Sequence, residues 1–249
     1  MGLVLYLQRD YPPFGMDNET LVFPEPGHVH IESRPVPELG SDKVLVETVA
    51  SLVSTGTELT LLSGEFPNKS AWSVHGEYPV IPGYSSVGVV CEIGDEVSET
   101  AVGDRVAAKT PHQRFTAVST DETFLIPDEV ADDEATFFKL AGIAMNGVRT
   151  GGVTWGETVA THGLGLVGQL ATQFCTVAGA RPVIAFDVSP TRLNHCSDIA
   201  SVTTVDPSAE DPVEIVEALA RGRLADVVFE CTGSPDVIPD EFDVLREQG

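Results

Sequence analysis

The stretch VATHGLGLVGQLATQF, from Val159 to Phe174, places three glycines between an apolar segment and an apolar-striped one. Gly163, Gly165 and Gly168 form the pattern GxGxxG directly after a predicted strand and at the start of a predicted helix. The first glycine permits a tight turn, the second lets a pyrophosphate approach the backbone, and the third lets the helix pack against the strand. The start of that helix also offers free N–H groups and a positive dipole end to phosphates. The residues expected to contact a dinucleotide here are Gly163, Leu164, Gly165, Leu166, Val167 and Gly168.

A carboxylate follows at the end of the next predicted strand. Asp187 lies about 20 positions after Gly168, where it can accept hydrogen bonds from the ribose of an adenosine. The same carboxylate would repel the phosphate that distinguishes NADP from NAD, and the nearby Arg192 would soften that repulsion. We therefore expect NAD as the cofactor, with NADP less favoured. Two plainer interpretations stay open: the glycines only tighten a strand–helix turn, and Asp187 only caps a helix.

The segments around this turn alternate between strand-like and helix-like patterns. Short apolar runs such as PVIAFD and ADVVFECTG are separated by helical segments, one from about Leu166 to Ala178 and one that Ser189 caps with Pro190 in its first turn. This alternation predicts a parallel sheet with crossover helices. Earlier in the chain, valine-rich runs separated by Gly, Pro, Asp and Ser predict strands and turns. We predict an α/β protein with a β-rich front domain over residues 1–131 and an α/β rear domain over residues 132–249.

The composition argues against several classes of partner. The chain has 38 acidic and 14 basic residues and a formal net charge of −24, which repels nucleic-acid backbones and anionic lipid headgroups. We therefore expect a small-molecule substrate, no nucleic acid and no membrane. The acids are spread over both halves, which is typical of a salt-adapted, halophilic protein whose self-repulsion is screened at high ionic strength. An ordinary acidic protein is the alternative.

The cysteines and the N-terminus indicate a cytoplasmic location. The four cysteines, Cys91, Cys175, Cys196 and Cys231, are far apart and form no CxxC pair, so neither a disulfide framework nor a metal-ligand pair is predicted. The N-terminus shows no secretory signal, and no stretch approaches the length of a membrane span.

Six stretches of the sequence together resemble the medium-chain dehydrogenase/reductase, or alcohol-dehydrogenase-like, superfamily. They are PVPELGSDKVLVETVASLVSTGTE, YPVIPGYSSVGVVCEIGDEV, VGDRVAA, THGLGLVGQLA, AFDVSPTRL and DVVFECTGSP, and they occur in the family's order from about Pro35 onward. The resemblance implies a GroES-like β-rich domain, an incomplete doubly wound Rossmann domain and an NAD-dependent oxidoreductase. It also adds Thr232 and Gly233 to the expected cofactor-binding residues.

Zinc-using members of this family carry three metal ligands, whose positions can be located here. They correspond to Thr55 ahead of Gly-Thr-Glu, to Tyr84 (followed by Ser85) after Pro-Gly, and to Lys139 in the helix before the rear domain. A catalytic zinc needs three ligands from His, Cys and carboxylates, and none of these positions supplies one. The stretch KTPHQRFTAVS also lacks the cysteines of a structural zinc lobe. We therefore expect no metal, and a likeness to the zinc-free branch that includes bacteriochlorophyllide dehydrogenase-like proteins.

Without a metal, polarisation and proton transfer must come from side chains. The resemblance matches Thr57 to the hydroxyl that relays protons in zinc-using members; Tyr84 could donate to a substrate carbonyl, and Lys139 could replace the lost cation. These three are the catalytic candidates. The plainer alternatives are a helix cap for Thr57, a packing residue for Tyr84 and a solvated lysine. The histidines, expected to be structural or exposed, are His28, His30, His75, His112, His162 and His195.

The sequence ends at VLREQG, after four predicted strands of the rear domain, whereas the family continues with further strands. We therefore expect a C-terminally shortened chain whose fourth strand is a sheet edge. The family-type homodimer is doubtful because the strand that would pair is absent. The leading hypothesis is an NAD(H)-dependent oxidoreductase that transfers hydride between nicotinamide and a carbonyl or alcohol without catalytic zinc. The alternatives are a dinucleotide-binding fragment without turnover and a zinc-free quinone or enoyl reductase.

Overall fold

The structure is a computed structural model of the chain, and it describes residues 3–6, 17–67, 69–70, 72 and 76–247. The chain divides into two compact units, one ending at Lys139 and one beginning at Leu140. His75 lies outside the described residues.

The front unit is built on antiparallel strands, as its valine-rich alternating runs predict. Its strands are β1 Leu3–Tyr6, β2 Asn18–Val22, β3 His30–Arg34, β4 Lys43–Val53, β5 Ser86–Ile93, β6 Arg105–Ala108, β7 Phe115–Ser119 and β8 Thr123–Leu125. Strands β1, β4, β5, β6 and β8 lie in that order in one sheet, β7 pairs with β4, and β2 and β3 form a separate hairpin pair. The first helix, α1, spans Thr55–Ser63 between β4 and β5.

The core of the front unit consists mainly of small β-branched side chains. One cluster of buried residues contains Val44, Val46, Val90, Val106, Ala108 and Val118. Such residues fit the pleated surface of a sheet, because a branched side chain packs well against its cross-strand neighbours. The long strand β4 therefore forms the centre of the unit, with β1, β5 and β7 as its partners.

The front unit extends past the predicted border at residue 131. Helix α2, Asp132–Ala135, follows that border, and α3 spans Phe138–Thr150. Ala135 and Phe138 pack against Val87 and Ala107 of the antiparallel sheet. These apolar contacts join the residues just after 131 to the front unit and explain why the division falls at Lys139.

The rear unit contains the predicted parallel sheet. Its strands are β9 Val159–His162, β10 Val183–Phe186, β11 Val202–Val205 and β12 Val227–Glu230, and its helices after α3 are α4 Leu166–Val177, α5 Pro190–Ser197, α6 Pro212–Leu219 and α7 Ile238–Asp243. The strand order is β11–β10–β9–β12, and all three pairings are parallel. Among the described residues β12 is therefore an edge strand, as predicted.

Helices cover both faces of this sheet: α3 and α4 pack in one cluster with Val159 and Val183, and α6 packs in another with Ala160 and Ile184. All four residues of β9 and all four of β10 are buried. This continuous burial is typical of parallel strands with helices on both sides. Among the described helices, none combines the length and hydrophobicity needed to cross a bilayer.

Candidate functional site

The glycine turn after β9 has the geometry that its sequence predicts. Gly163 has φ +86, and a Cβ atom there would lie 2.7 Å from the backbone carbon of Cys231. Its N–H donates to the Phe186 carbonyl at 2.8 Å. A side chain at this position is therefore excluded both by the left-handed backbone and by the loop that follows β12.

The second and third positions of the motif carry glycine for different structural reasons. Gly165 precedes the first residue of α4 with φ −67, and a Cβ there would meet no heavy atom within 4 Å. Gly168 lies inside α4, where a Cβ would be 1.8 Å from the Gly163 oxygen. Gly168 is thus required by helix–strand packing, whereas Gly165 leaves open space in front of the free N–H groups that begin α4, which include those of Leu166 and Val167.

Asp187 stands at the end of β10 and is only 6% exposed. Its Oδ2 accepts a hydrogen bond from Leu164 N at 2.7 Å, and its Oδ1 accepts one from Ser189 N at 2.7 Å. Arg192 lies beside it, with Nη1 3.4 Å from Oδ2. Asp187 therefore connects the glycine turn to the start of α5 through two accepted hydrogen bonds. The spacing of the motif did not reveal this structural role. Ser189 is the N-cap residue of α5 and Pro190 lies in its first turn, as predicted, although the Ser189 side chain makes no capping hydrogen bond.

A cavity of about 400 Å³ opens beside the turn. It is within the size range of small-molecule and cofactor sites. The predicted cofactor-binding residues that line it are Gly163, Gly165, Asp187, Arg192 and Thr232. Leu164, in contrast, is fully buried and packs with Ala185 and Cys196, so only its backbone is near the turn.

The last residue of β12, Glu230, carries a second carboxylate near the turn. Glu230 Oε1 accepts hydrogen bonds from Thr232 N at 2.5 Å and Gly233 N at 3.2 Å, and it also contacts the Thr232 hydroxyl. These two amides are therefore occupied by Glu230 within the chain. Their contribution to the site is to shape the loop next to Gly163.

His162 is a cavity-lining residue that sequence reasoning treated as structural. It is 4% exposed, its ring stacks on Phe186 with the centroids 4.6 Å apart, and its Nε2 has no hydrogen-bond partner among the described residues. Burial lowers the pKa of His162 to about 4, and the Glu230 and Asp240 carboxylates oppose that shift only in part. The signal that could have found it is its place directly before the first glycine of the motif.

Acidification should destabilise the protein through His162. The unfolded chain binds a proton near the ordinary histidine pKa of about 6.5, whereas the folded chain binds it only near pH 4. The free energy of unfolding therefore falls as pH drops through this window, by about 2 kcal/mol between about pH 7 and pH 5. A His162→Phe variant, which can keep the stacking on Phe186, should lack that part of the pH dependence in denaturant unfolding. The matched control is His195→Phe at an exposed position; equal pH dependence in wild type and His162→Phe would contradict the argument.

Two of the catalytic candidates of the front unit lie at the same end of one strand pair. Ser51 of β4 pairs with Ser86 of β5. Thr57 follows β4 in the first turn of α1, and Tyr84 lies two residues before the first residue of β5. The side chains of Thr57 and Tyr84 are half-buried, and neither side chain has a hydrogen-bond partner among the described residues. Thr57 is not the helix cap, since Ser54 occupies that position. Lys139 is half-buried in α3.

A buried histidine holds this end of the front unit together. His112 Nε2 lies 2.9 Å from Glu58 Oε2, and its Nδ1 lies 2.8 Å from Ser51 Oγ. The His112 backbone N–H also donates to the Pro82 carbonyl at 2.8 Å, next to Gly83, where a Cβ would meet that same nitrogen. His112 therefore connects β4, α1 and the turn before Tyr84. The prediction that His112 is structural agrees with this arrangement, but its partner Glu58 could not be identified from spacing.

The side chains at the three positions that the family resemblance assigns to zinc ligands do not fit a catalytic zinc. They carry the hydroxyl of Thr55, the phenol of Tyr84 and the ammonium of Lys139, whereas zinc takes imidazole, thiolate and carboxylate. Ser85, beside Tyr84, donates its hydroxyl to the Thr136 carbonyl at 2.6 Å. In the part of the chain that the structure describes, no three His, Cys, Asp or Glu side chains are grouped to hold a metal ion.

Comparisons with known proteins cover both units. The family described as the alcohol dehydrogenase GroES-like domain matches residues 40–167, and the family described as zinc-binding dehydrogenase matches residues 167–249. Sorbitol dehydrogenase of Bacillus subtilis is 24% identical over 89% of this chain and 70% of its own length.

Two solved structures extend the likeness to the fold. A structure from Sinorhizobium meliloti 1021, assigned as a zinc-binding dehydrogenase and bound to NADP, is 25% identical with a TM-score of 0.79, over 94% of this chain and 75% of the other. The quinone oxidoreductase of Pseudomonas syringae is 26% identical with a TM-score of 0.76, over 93% of this chain and 71% of the other. With a GroES-like front unit, a parallel rear sheet and family matches that together run from residue 40 to 249, the chain belongs to the alcohol-dehydrogenase-like, medium-chain dehydrogenase/reductase superfamily.

Proposed function

We propose that this protein is an NAD(H)-dependent oxidoreductase that transfers hydride between the nicotinamide ring and a carbonyl or alcohol substrate without a catalytic zinc. The observation that carries the proposal is the cavity beside the glycine turn, which Gly163, Gly165 and Asp187 line. Family membership supports the oxidoreductase class.

The residues of the cavity fit a dinucleotide. Gly165 leaves open space in front of the first N–H groups of α4, where a pyrophosphate would accept hydrogen bonds. Asp187, at the end of the second strand, carries a carboxylate with a lone-pair position beyond those used by Leu164 N and Ser189 N, and this supports NAD over NADP. The nicotinamide of the bound cofactor supplies the hydride acceptor or donor.

The proposal assigns proton transfer to the front unit. In the absence of suitable zinc ligands, a hydroxyl must exchange the proton with the substrate oxygen. Thr57 and Tyr84 are half-buried hydroxyl groups without partners in the described chain, so both retain their hydrogen-bonding capacity. Lys139 is the candidate cation for polarising the substrate. The acidic surface favours a small-molecule substrate in a cytoplasmic setting.

The first experiment measures cofactor binding and turnover. We expect isothermal titration calorimetry to show saturable binding of NADH, with NADPH weaker. NADH oxidation, followed by absorbance against a panel of aldehydes, ketones, quinones and enones, should show turnover with carbonyl compounds. Binding without turnover across the panel would favour the dinucleotide-binding alternative, turnover with quinones or enones alone would favour the reductase alternative, and absence of NADH binding would contradict the proposal. Stoichiometric zinc in the purified protein would contradict its metal-free chemistry.

A second experiment separates chemistry from binding. Tyr84→Phe and Thr57→Val should each lower kcat by about tenfold or more and leave the Kd for NADH unchanged, because general acid–base groups contribute about 10²-fold or more to the rate. Thr60→Val is the matched control on α1, since the Thr60 hydroxyl donates to the Gly56 carbonyl within the helix. Unchanged kcat in both variants would remove these residues from the mechanism.

A further inference from the structure

A second cavity lies at the opposite end of the parallel sheet. Its volume is about 560 Å³, and it is formed at the amino ends of the strands, where Thr158 precedes β9, Pro182 precedes β10 and Val202 begins β11. The glycine turn and Asp187 follow the carboxyl ends of β9 and β10. The two cavities are therefore separate features of the rear unit.

The lining of this second cavity is positively charged. Arg181, Arg221 and Arg223 line it, and no Asp or Glu does so. This is an unusual local composition, because acids outnumber bases by 38 to 14 in the whole sequence. A cluster of guanidinium groups in such a chain concentrates anions locally.

These three arginines are also without ion-pair partners among the described residues. Five other arginines each lie within 4.0 Å of a carboxylate: Arg34, Arg105, Arg114, Arg192 and Arg246. Asp226, which accepts a hydrogen bond from Thr158 N at 2.7 Å, is paired with Arg246 at 2.6 Å. Glu157 lies between the cavity-lining residues Gly156 and Thr158 in the chain, and its carboxylate accepts a hydrogen bond from Thr154 N at 2.7 Å. No ion pair with a described carboxylate therefore compensates the three guanidinium charges of the cavity.

The backbone that carries the arginines is tied to the sheet and to α6. Arg181 N donates to the Glu157 carbonyl at 2.8 Å, and Arg223 N donates to the Ala220 carbonyl at 3.3 Å. Thr158, in the wall of the cavity, is 1% exposed, and its hydroxyl has no hydrogen-bond partner in the described chain.

We propose that this cavity is a binding site for a small phosphorylated organic molecule, separate from the cofactor site. Guanidinium groups bind phosphate oxygens through paired hydrogen bonds, which three arginines can offer to more than one phosphate. The volume is within the range of small-molecule sites and exceeds what a lone phosphate ion fills. Pro182, Val202 and Leu219 supply apolar wall for the carbon skeleton.

The test uses fructose bisphosphate as the probe, in calorimetric titrations of the full chain at constant ionic strength. We expect one saturable site, and Arg181→Gln, Arg221→Gln and Arg223→Gln should each raise its Kd by about tenfold, as loss of a hydrogen bond to a charged group does. Arg149→Gln is the matched control: it removes the same charge from α3 of the same unit and does not line the cavity. It should change the Kd by less than about twofold.

A further variant distinguishes this cavity from the cofactor site. Gly165→Ala alters the glycine turn alone, so it should leave the Kd for fructose bisphosphate unchanged. Failure of wild type to bind the probe saturably would overturn the proposal. So would an equal loss in Arg149→Gln, or a loss in Gly165→Ala with none in the three cavity variants. None of these outcomes depends on whether the protein oxidises NADH.

Discussion

Gly168→Ala should lose most of the stability of the rear unit. Gly165→Ala, three residues earlier in the same motif, should fold normally and bind NADH more weakly. A Cβ at residue 168 would lie 1.8 Å from the Gly163 oxygen. The obstructing atom is backbone in a turn whose own N–H is fixed to Phe186, so neither partner can move without separating α4 from β9. We expect the free energy of unfolding to fall by about 4 kcal/mol or more. Losses of this size are exceptional for single substitutions, and overpacking of a buried position is one of their few causes.

Gly165 lacks any such conflict. Its φ of −67 suits an L-residue, and no heavy atom lies within 4 Å of the position that an added methyl group would take. Gly165→Ala should therefore leave the free energy of unfolding within about 1 kcal/mol of wild type. The added methyl group fills the space in front of the α4 N-terminus where the pyrophosphate is expected, so the Kd for NADH should rise by about tenfold or more.

Denaturant unfolding and calorimetric titration with NADH check the pair of variants together. Gly147→Ala on α3 is the control, because a Cβ there also meets nothing within 4 Å and the residue lies outside the motif. It should leave both stability and the Kd for NADH unchanged or slightly improved. Wild-type stability in Gly168→Ala would contradict the packing argument, and wild-type NADH affinity in Gly165→Ala would contradict the placement of the pyrophosphate.

The sequence allowed the architecture of the rear unit to be predicted because local signals there agree with one another. The predicted helix from Leu166 to Ala178 is observed as Leu166–Val177, and the predicted helix that opens at Pro190 begins at that residue. Hydrophobic runs bounded by glycine and proline fix strand and helix positions with little help from distant residues. The resemblance to the family added that the sheet is doubly wound with its fourth strand at an edge, and β12 is an edge strand among the described residues.

The contacts that organise the two candidate sites could not be predicted in the same way. The pairing of His112 with Glu58 and the stacking of His162 on Phe186 each join residues far apart in the chain. Spacing identifies residues that share one helix face or one turn, but it contains no information on which distant side chain fills a buried position. The packing of Ala135 and Phe138 against Val87 and Ala107, which accompanies the division of the units at Lys139, is a long-range contact of the same kind.

Asp187→Asn should both destabilise the protein and weaken NADH binding by one to two decades. The carboxylate accepts from Leu164 N through one oxygen and from Ser189 N through the other, both at 2.7 Å. An asparagine has only one oxygen, so its NH₂ group must face one of these two N–H donors. A buried donor left without an acceptor costs about 1–3 kcal/mol, which denaturant unfolding would detect.

The affinity loss has a separate physical cause. A hydrogen bond from a ribose hydroxyl to a carboxylate contributes about 1.5–3 kcal/mol, which corresponds to roughly one to two decades in Kd. Asp211→Asn is the matched control: Asp211 also accepts from two backbone amides, Val213 N and Glu214 N, at an exposed helix start outside the cavity. That variant removes the same charge and should leave the Kd for NADH unchanged.

The choice between NADH and NADPH provides the sharper measurement on Asp187→Asn. In wild type the carboxylate lies 3.4 Å from Arg192 Nη1 and neutralises it, so a cofactor with an additional phosphate meets a negative group first. Removing the negative charge leaves Arg192 as the only charged side chain among those that line the cavity. The ratio of the Kd for NADPH to the Kd for NADH should therefore fall by about tenfold. The additional phosphate of NADPH would no longer be repelled by Asp187 and would be attracted by Arg192. If Asp187→Asn weakens both cofactors by the same factor, Asp187 acts only by holding the glycine turn, and its role in selecting NAD is excluded.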